Sequence, residues 1–439
     1  MRHYGAENAT FRGAEPTWAN ACVGHNGNPQ ILEYATGFAS AANVLLDQVI
    51  KDGGINLCVD EFIYPVCFNM RHAVELFLKA AVDQIIRLAD IRSVALDKFD
   101  MAGSHHLGNI WGYVKNNSLA ADKRYHQIIE ELDGYINDIA KIDATGQVFR
   151  YAFDRESQKH LTEIAVINVV VLKCRFNILE NLLRKLNSLN EKLLEEYGWG
   201  SFTTRLSRVQ LVKLATELPK RNQWTEPSFR TAKSSLQEKY KLSSRDFCRA
   251  IKIIEKRHEI SCLIGATVEI PGLTFQALTV FIDLWSRMHN IENVKNPPLV
   301  NLDVFEYSNF RVDDQWIVSS IECPDALVDA LHPDCFAVLS ALFYFHREAP
   351  YSEVFDLLLE ENRVVAANYP TKPSLYKSDA SHLLSKTNAL ENILNSLNFL
   401  GQYEILDSVI NRYGLEACRD RLLEFSEVRK IRLMESAMD

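Results

Sequence analysis

Apolar residues recur at helical spacing over much of the chain. Between residues 30 and 50 they include Phe38, Ala41, Leu45 and Val49, three or four positions apart. This spacing predicts an amphipathic helix. The run Asp52-Gly53-Gly54 follows it and predicts the end of that helix, because glycine readily takes the left-handed conformation found there.

The next apolar stretch predicts a second helix from Pro65 to about Leu88. Val74, Leu78, Val82 and Ile85 fall on one face of it. Proline is tolerated in the first turn of a helix, where its missing N–H has no partner in any case, so we expect Pro65 at that position. Arg71, Glu75 and Lys79 lie four residues apart and predict a charged ladder on another face.

The same pattern predicts helices at about 105–114 and 122–142, a turn at 143–147, and one or two helices that together cover 155–197. Gly198 and Gly200 then break the periodicity and indicate a domain boundary. Residues 1–29 have no clear period, so we expect an irregular N-terminal arm before a helical bundle at 30–197.

After the boundary, several short helices are expected in 201–262, with breaks at Leu218-Pro219 and Glu226-Pro227. Residues 263–439 form an acidic and mostly helical C-terminal part, in which 304–319 could hold one or two strands. The prediction is a mainly α fold with a possible small β element near 300–320.

Composition fits a globular protein, with 47% hydrophobic and 24% charged residues. No charge-free apolar run reaches the roughly 18 residues of a membrane span, and the N-terminus lacks a signal-peptide pattern. The nine cysteines are scattered singly without a CxxC pair, which argues against disulfide or zinc frameworks. We expect a cytoplasmic protein that uses neither a metal ion nor a cofactor and does not bind a membrane.

Charge is distributed unevenly. Residues 205–257 carry a net charge of +9 within a chain of net charge −9. A helix over 242–257 would place four cations on one side, three and four residues apart: Arg245, Arg249, Lys252 and Lys256. With Trp224 as a stacking ring, this block is a candidate contact for RNA or DNA. The alternatives are a solvated surface or a docking surface for residues 263–439, whose net charge is −12.

Three segments within residues 30–195 resemble parts of HEPN domains, which are helical bundles. The first is an R-x-x-x-E-x-x-x-K-A helix at 71–80, the second is His105-His106-Leu107 before Ile110 and Trp111, and the third is Phe149-Arg150-Tyr151 with Asp154. Their order and spacing suit that fold. The resemblance implies a bacterial defence or toxin setting and a homodimer or a complex with another protein.

Many HEPN proteins are ribonucleases with an R-x4-6-H motif, which Arg155 and His160 match as R-x4-H. The resemblance implies metal-independent RNA cleavage. His160 would exchange protons as general acid or base, and Arg155 would hold the phosphate, with support from Arg150 and Asp154.

Other functions suit the same residues. Arg150, Tyr151 and Asp154 could only lock a turn, and His105 and His106 could cap a helix or pack against Trp111. The charged ladder could be purely structural. The whole protein could then be a catalytically silent adaptor that docks a protein or a nucleic acid.

Overall fold

The computed structural model describes residues 8–153, 156–295, 314–346, 351–419 and 421–422. The predicted mainly α fold is confirmed, since the described residues are predominantly helical and contain one isolated β-bridge, between Phe153 and Lys159. The chain divides into two compact units. The first unit ends at Gly198 and the second begins at Trp199, so the boundary falls where the two glycines indicated it.

The first unit is a helical bundle. Its helices are α1 (Ile31–Asp52), α2 (Val59–Arg92), α3 (Leu107–Ala121), α4 (His126–Ile142) and α5 (Val169–Gly198). Helix α2 is central and packs against α1, α3 and α5. Residues 8–28 are exposed and contain only two short 3₁₀ turns, Thr17–Ala19 and Gly24–Asn26.

Helix α1 ends as predicted, because Gly53 has a φ of 64° and its N–H bonds to the carbonyls of Val49 and Ile50. The position expected for Pro65 is wrong. Helix α2 begins six residues earlier, at Val59, so Pro65 lies inside it. Asp60 and Glu61 in the first turn stabilise this earlier start, since carboxylates interact favourably with the positive end of the helix dipole.

A buried polar cluster holds the far end of the bundle together. The Asp122 carboxylate accepts hydrogen bonds from the Tyr197 hydroxyl at 2.6 Å and from Arg124 Nε at 3.0 Å. Arg124 also donates to Glu196 at 2.8 Å. This cluster ties the short connection before α4 to the end of α5.

The helix expected from residue 155 onward is only partly right. Residues 156–168 are not helical, and the long helix starts at Val169. Asn168 explains the start, because its Oδ1 accepts hydrogen bonds from the N–H groups of Val170 and Val171, each at 3.0 Å. The β-branched residues Ile164, Val166 and Ile167 before it also favour extended backbone.

The second unit is helical as well. Its helices are α6 (Arg208–Glu217), α7 (Pro227–Lys239), α8 (Ser244–Lys256), α9 (His258–Ser261), α10 (Phe275–Met288), α11 (Glu292–Lys295), α12 (Asp314–Ala330), α13 (Pro333–Phe345), α14 (Ser352–Ala366), α15 (Pro373–Leu384), α16 (Ala389–Phe399) and α17 (Tyr403–Tyr413). None of the helices in the described ranges is long and apolar enough to cross a membrane.

Two apolar clusters form inside the second unit. One gathers residues between Leu206 and Ile264, and the other gathers residues between Ile270 and Leu422. A buried ion cluster connects the two regions, since Arg208 contacts Glu259 and also Glu353 of helix α14. Both predicted segments, 201–262 and 263–439, therefore lie in one compact unit.

The strand expected near 304–319 is wrong where the structure describes it. Residues 314–319 belong to helix α12, while 304–313 lie outside the described residues. The β-branched pair Ile317-Val318 suggested a strand. The segment is helical because the same helix buries Cys323 and Leu327 further along. This tertiary packing overrides a weak local preference for a strand.

Candidate functional site

A cavity of about 1010 Å³ in the first unit brings together many of the polar residues singled out above. We call it the cleft. Its polar lining includes Arg71, His72, Glu75, His105, Arg150 and His160, and its rings include Phe68 and Tyr151. Helix α2 forms one wall, and His105, residues 145–151, Phe153, Glu156 and His160 form the others.

The charged ladder of helix α2 is buried, with Arg71 only 2% and Glu75 only 4% exposed. Arg71 forms an ion pair with Glu75 and donates to three backbone carbonyls: Asp143 O at 3.2 Å, His105 O at 2.6 Å and Ala144 O at 2.8 Å. The guanidinium therefore clamps two loops onto the helix. The charged ladder predicted for these residues is therefore buried and also bonded to backbone carbonyls of other segments.

The reason lies in the neighbouring residues. Ala73, Val74, Phe77, Leu78 and Ala81 are also buried, so helix α2 is enclosed on nearly all sides at this level. A buried charge must be paired and hydrogen-bonded, which the loops accomplish with their carbonyl groups.

The loop at 143–147 forms the predicted turn and fits closely on Arg71. Asp143 Oδ1 accepts hydrogen bonds from the N–H groups of Gly146 at 2.8 Å and Gln147 at 3.0 Å. Gly146 has a φ of 79°, and a Cβ there would lie 3.3 Å from the Arg71 guanidinium. Glycine thus permits both the backbone conformation and the close approach.

Glu75 is the centre of the charge network. Its carboxylate contacts Arg71, accepts from Lys79 Nζ at 3.0 Å, and lies 2.9 Å from His105 Nδ1. Burial alone would raise the pKa of Glu75, but the hydrogen bonds from His105, Lys79 and Arg71 outweigh it and hold the pKa below its ordinary value. The carboxylate is therefore ionised at neutral pH.

His160 lies in the cleft, but on an irregular loop. Its N–H donates to Ala152 O at 3.1 Å, next to the bridge between Phe153 and Lys159. The helices predicted for 155–197 would include His160, and this is wrong for His160, since the helix begins at Val169. The side chain is half-buried, and Nε2 is buried without a hydrogen-bond partner in the part of the chain that the structure describes.

The backbone around His160 is strained. Ser157 has a φ of 62° and Leu161 a φ of 58°, in the left-handed region that non-glycine residues rarely occupy. Such a conformation costs on the order of 1 kcal/mol or more, and it clusters at functional sites because a fold retains it only where something else requires it.

Arg150 is exposed and points its guanidinium at two rings, 5.4 Å from the centroid of Phe68 and 5.4 Å from that of Tyr151. The lock of the turn was expected to involve Asp154, so the part of the chain that the structure describes does not test it. Asp154 and Arg155 lie outside the described residues. The cleft thus contains a cation that can contact an anionic ligand.

The two adjacent histidines have different roles. The ring of His106 caps helix α3, with its Nδ1 accepting from Asn109 N at 3.3 Å, so helix capping is confirmed for this residue. His105 instead contacts Glu75. His72 lies in the cleft between aromatic rings, with its ring 4.4 Å from Phe38 and 5.8 Å from Phe68, and burial lowers its pKa.

Sequence reasoning missed that these histidines share one cavity with the ladder. The sequence does contain a signal for this arrangement. The charged residues Arg71, Glu75 and Lys79 lie in a helix whose other residues at this level are mostly apolar on every face. Such a triplet requires polar partners from another segment.

The basic helix expected at 242–257 is confirmed as α8, and its four cations Arg245, Arg249, Lys252 and Lys256 are all exposed. Phe247, Ala250 and Ile254 are buried on the other side. Arg249 lies 3.8 Å from Asp246, and none of the four contacts an acidic residue of 263–439 that the structure describes. Docking against that part is found instead for Arg208 with Glu353 and for Arg257 with Asp356 at 3.1 Å.

Trp224 is half-buried and already has neighbours. Its Nε1 donates to Pro219 O at 2.9 Å, its ring stacks on Phe229 at 5.0 Å, and the Arg221 guanidinium lies 4.6 Å from its centroid. The Trp224 ring therefore stabilises the local fold, and these contacts occupy much of the surface on which a base could stack.

No family model, no curated protein and no solved structure matches this chain. The chemistry of the cleft and of helix α8 is therefore the ground on which a function can be proposed.

Proposed function

We propose that the first unit is a HEPN-like domain and that the protein binds or cleaves RNA in the cleft without a metal ion. One observation carries the proposal. The half-buried His160 lines the same cavity as Arg150, His72 and His105, and its Nε2 has no hydrogen-bond partner among the described residues.

These groups suit chemistry on a phosphodiester. A histidine can take the proton of a ribose 2′-hydroxyl or return one to the leaving oxygen, because its pKa lies near neutrality. The Arg150 guanidinium can bind phosphate oxygens and stabilise the negative charge that develops on them. Phe68 and Tyr151 line the same cavity and offer rings on which a base can stack.

Helix α8 supplies a second contact in this proposal. Its row of exposed cations would bind the phosphates of RNA or DNA without reading the sequence, since such contacts act through charge. Part of the basic block is already neutralised by internal ion pairs, but the four α8 cations face solvent.

Cleavage of total RNA in the presence of EDTA tests the proposal. Wild type is compared with His160→Ala and with a matched control, His126→Ala, which removes an exposed histidine of helix α4 outside the cleft. We expect the control to cleave like wild type and His160→Ala to lose about 100-fold or more, the usual contribution of a general acid or base. Equal cleavage by wild type and His160→Ala would remove the catalytic claim.

The alternative is a catalytically silent adaptor. Exposed apolar side chains near the start of helix α5 favour it, since Val166 is 86% and Val171 60% exposed and such surfaces often bind proteins. RNA that binds but stays intact, or a homodimer or protein complex that forms without RNA, would be the result expected for an adaptor. The proposal includes a role in a bacterial defence or toxin system, which fits a nuclease as well as an adaptor.

A further inference from the structure

We propose that His105 is a second proton-transfer residue of the cleft, the general base that takes the 2′-hydroxyl proton, while His160 is the general acid. The inference rests on the proposed function. It assigns separate roles to two histidines, of which only His160 belongs to the R-x4-H motif.

The contact between His105 and Glu75 fixes the form of the ring. Glu75 is ionised and therefore only accepts hydrogen bonds, so His105 Nδ1, 2.9 Å from its Oε1, must carry the proton. In the neutral ring the lone pair is then on Nε2. A carboxylate that holds a histidine in this tautomer is the arrangement that prepares a histidine to act as a base.

The backbone of His105 and its partner Glu75 are also held in place by hydrogen bonds. His105 O accepts a hydrogen bond from Arg71 Nη2 at 2.6 Å, and Glu75 is itself kept in place by Arg71 and Lys79. The side chain nevertheless remains 63% exposed and lines the cleft, and its Nε2 has no partner in the described part of the chain. The ring is thus oriented at one nitrogen and accessible at the other.

A purely structural role explains the contact less well. Glu75 already receives hydrogen bonds from two buried cations, so its charge is compensated without His105. An ion pair to a side chain that is mostly exposed adds little stability. The neighbouring His106 shows what a structural histidine does here, since its ring caps helix α3.

The reaction balances with these two groups alone. His105 Nε2 takes the proton from the 2′-hydroxyl, and O2′ forms a bond to phosphorus. The bond from phosphorus to O5′ breaks, and protonated His160 gives its proton to O5′. The products are a 2′,3′-cyclic phosphate and a 5′-hydroxyl, with no redox change and no further reactant.

An oligonucleotide with a single ribonucleotide tests the assignment in two forms, one with the ordinary 5′-oxygen leaving group and one with sulfur in its place. A thiolate leaves without a proton, so it bypasses the general acid and not the general base. We expect His105→Ala to lose about 100-fold or more on both substrates. His160→Ala should be slow on the oxygen substrate and largely restored on the sulfur substrate. Free imidazole should restore part of the activity of His105→Ala.

His106→Ala is the matched control, since it removes the adjacent histidine that does not contact Glu75, and each variant's fold is checked by its circular dichroism and melting temperature. If His105→Ala cleaves like wild type while His160→Ala is inactive, the inference is overturned and the proposed function stands. Rescue of His105→Ala by the sulfur substrate would also overturn it, because that residue would then be the acid. If wild type cleaves neither substrate, the nuclease proposal itself fails.

Discussion

At the scale of single residues, the fold depends on charges that are buried and paired. Glu75 illustrates this, since three donors surround a side chain that is 4% exposed and keep its pKa below the ordinary value of 4.5. A carboxyl group with a lowered pKa in the folded state binds its proton more weakly there than in the unfolded chain. Its contribution to stability is therefore fully present above pH 4.5 and is lost as the pH falls below that value.

We expect the melting temperature of wild type to fall as the pH is lowered from about 5 towards 3 through this linkage. Glu75→Gln should be less stable at pH 7 and should lose less stability on acidification, because it has no proton to take up at that position. Asp83→Asn, at an exposed position in the middle of the same helix, is the control and should follow wild type. Parallel pH profiles for wild type and Glu75→Gln would show that Glu75 does not carry the linkage. Melting curves recorded between pH 3 and 7 measure the pH dependence of the stability of each variant.

Several residues of the cleft could be identified from the sequence, but the residues that they contact could not. His160, Arg150 and the ladder of Arg71 were all singled out from motifs. Arg71 bonds to carbonyls of residues 105, 143 and 144, which are at least 34 positions away. Helical periodicity contains no information on such distant contacts, so the burial of the ladder could not be read from spacing within one helix.

At the scale of elements, helix starts and ends followed local chemistry closely, and the errors arose where local signals competed. The segment at 156–168 was expected to be helical, yet helix α5 begins only after Asn168. An asparagine before an apolar run is a usable capping signal, and it predicts the observed start better than periodicity does.

Replacing Asn168 should therefore weaken the start of helix α5. We expect Asn168→Ala to destabilise the first unit by about 1 kcal/mol, the usual cost of losing an N-cap side chain, and Asn168→Asp to be nearly neutral. Asn177→Ala on the exposed side of the same helix is the control, with an expected effect close to zero. Urea unfolding followed by circular dichroism measures the difference. An Asn168→Ala variant as stable as the control would contradict the capping role.

Helix α8 carries a prediction about salt. If its exposed cations bind phosphates, removing two of them should weaken RNA binding and make the dependence of log Kd on log salt concentration shallower by about 0.7 for each contact with a single strand. We expect this for Lys252→Ala with Lys256→Ala. Lys377→Ala, which removes an exposed lysine paired with Asp325, should leave the slope unchanged. Binding titrations at several salt concentrations measure it, and equal slopes would exclude phosphate contacts at α8.

At the scale of the whole molecule, the boundary at Gly198 could be predicted because it is local, marked by two glycines. The residues that join 201–262 with 263–439 could not be predicted, since Arg208 and Glu353 are 145 positions apart in the chain. The uneven charge did suggest an internal contact between a basic and an acidic part. The structure confirms that contact for Arg208 and Arg257 and leaves the four cations of helix α8 exposed.

The ion cluster around Glu353 should be decisive for the second unit. Glu353 is 6% exposed and contacts Arg208, Arg257 and Ser201. Removing it takes one of two counter-charges from the buried Arg208, which keeps only Glu259, so we expect Glu353→Ala to destabilise the second unit by about 3 kcal/mol. Glu360→Ala, an exposed position on the same helix, should change stability by less than about 0.5 kcal/mol. Hydrogen exchange read out by mass spectrometry should show faster exchange in α6, α9 and α14 for Glu353→Ala alone. Similar exchange in both variants would mean that apolar packing, and not the ion cluster, joins the two parts.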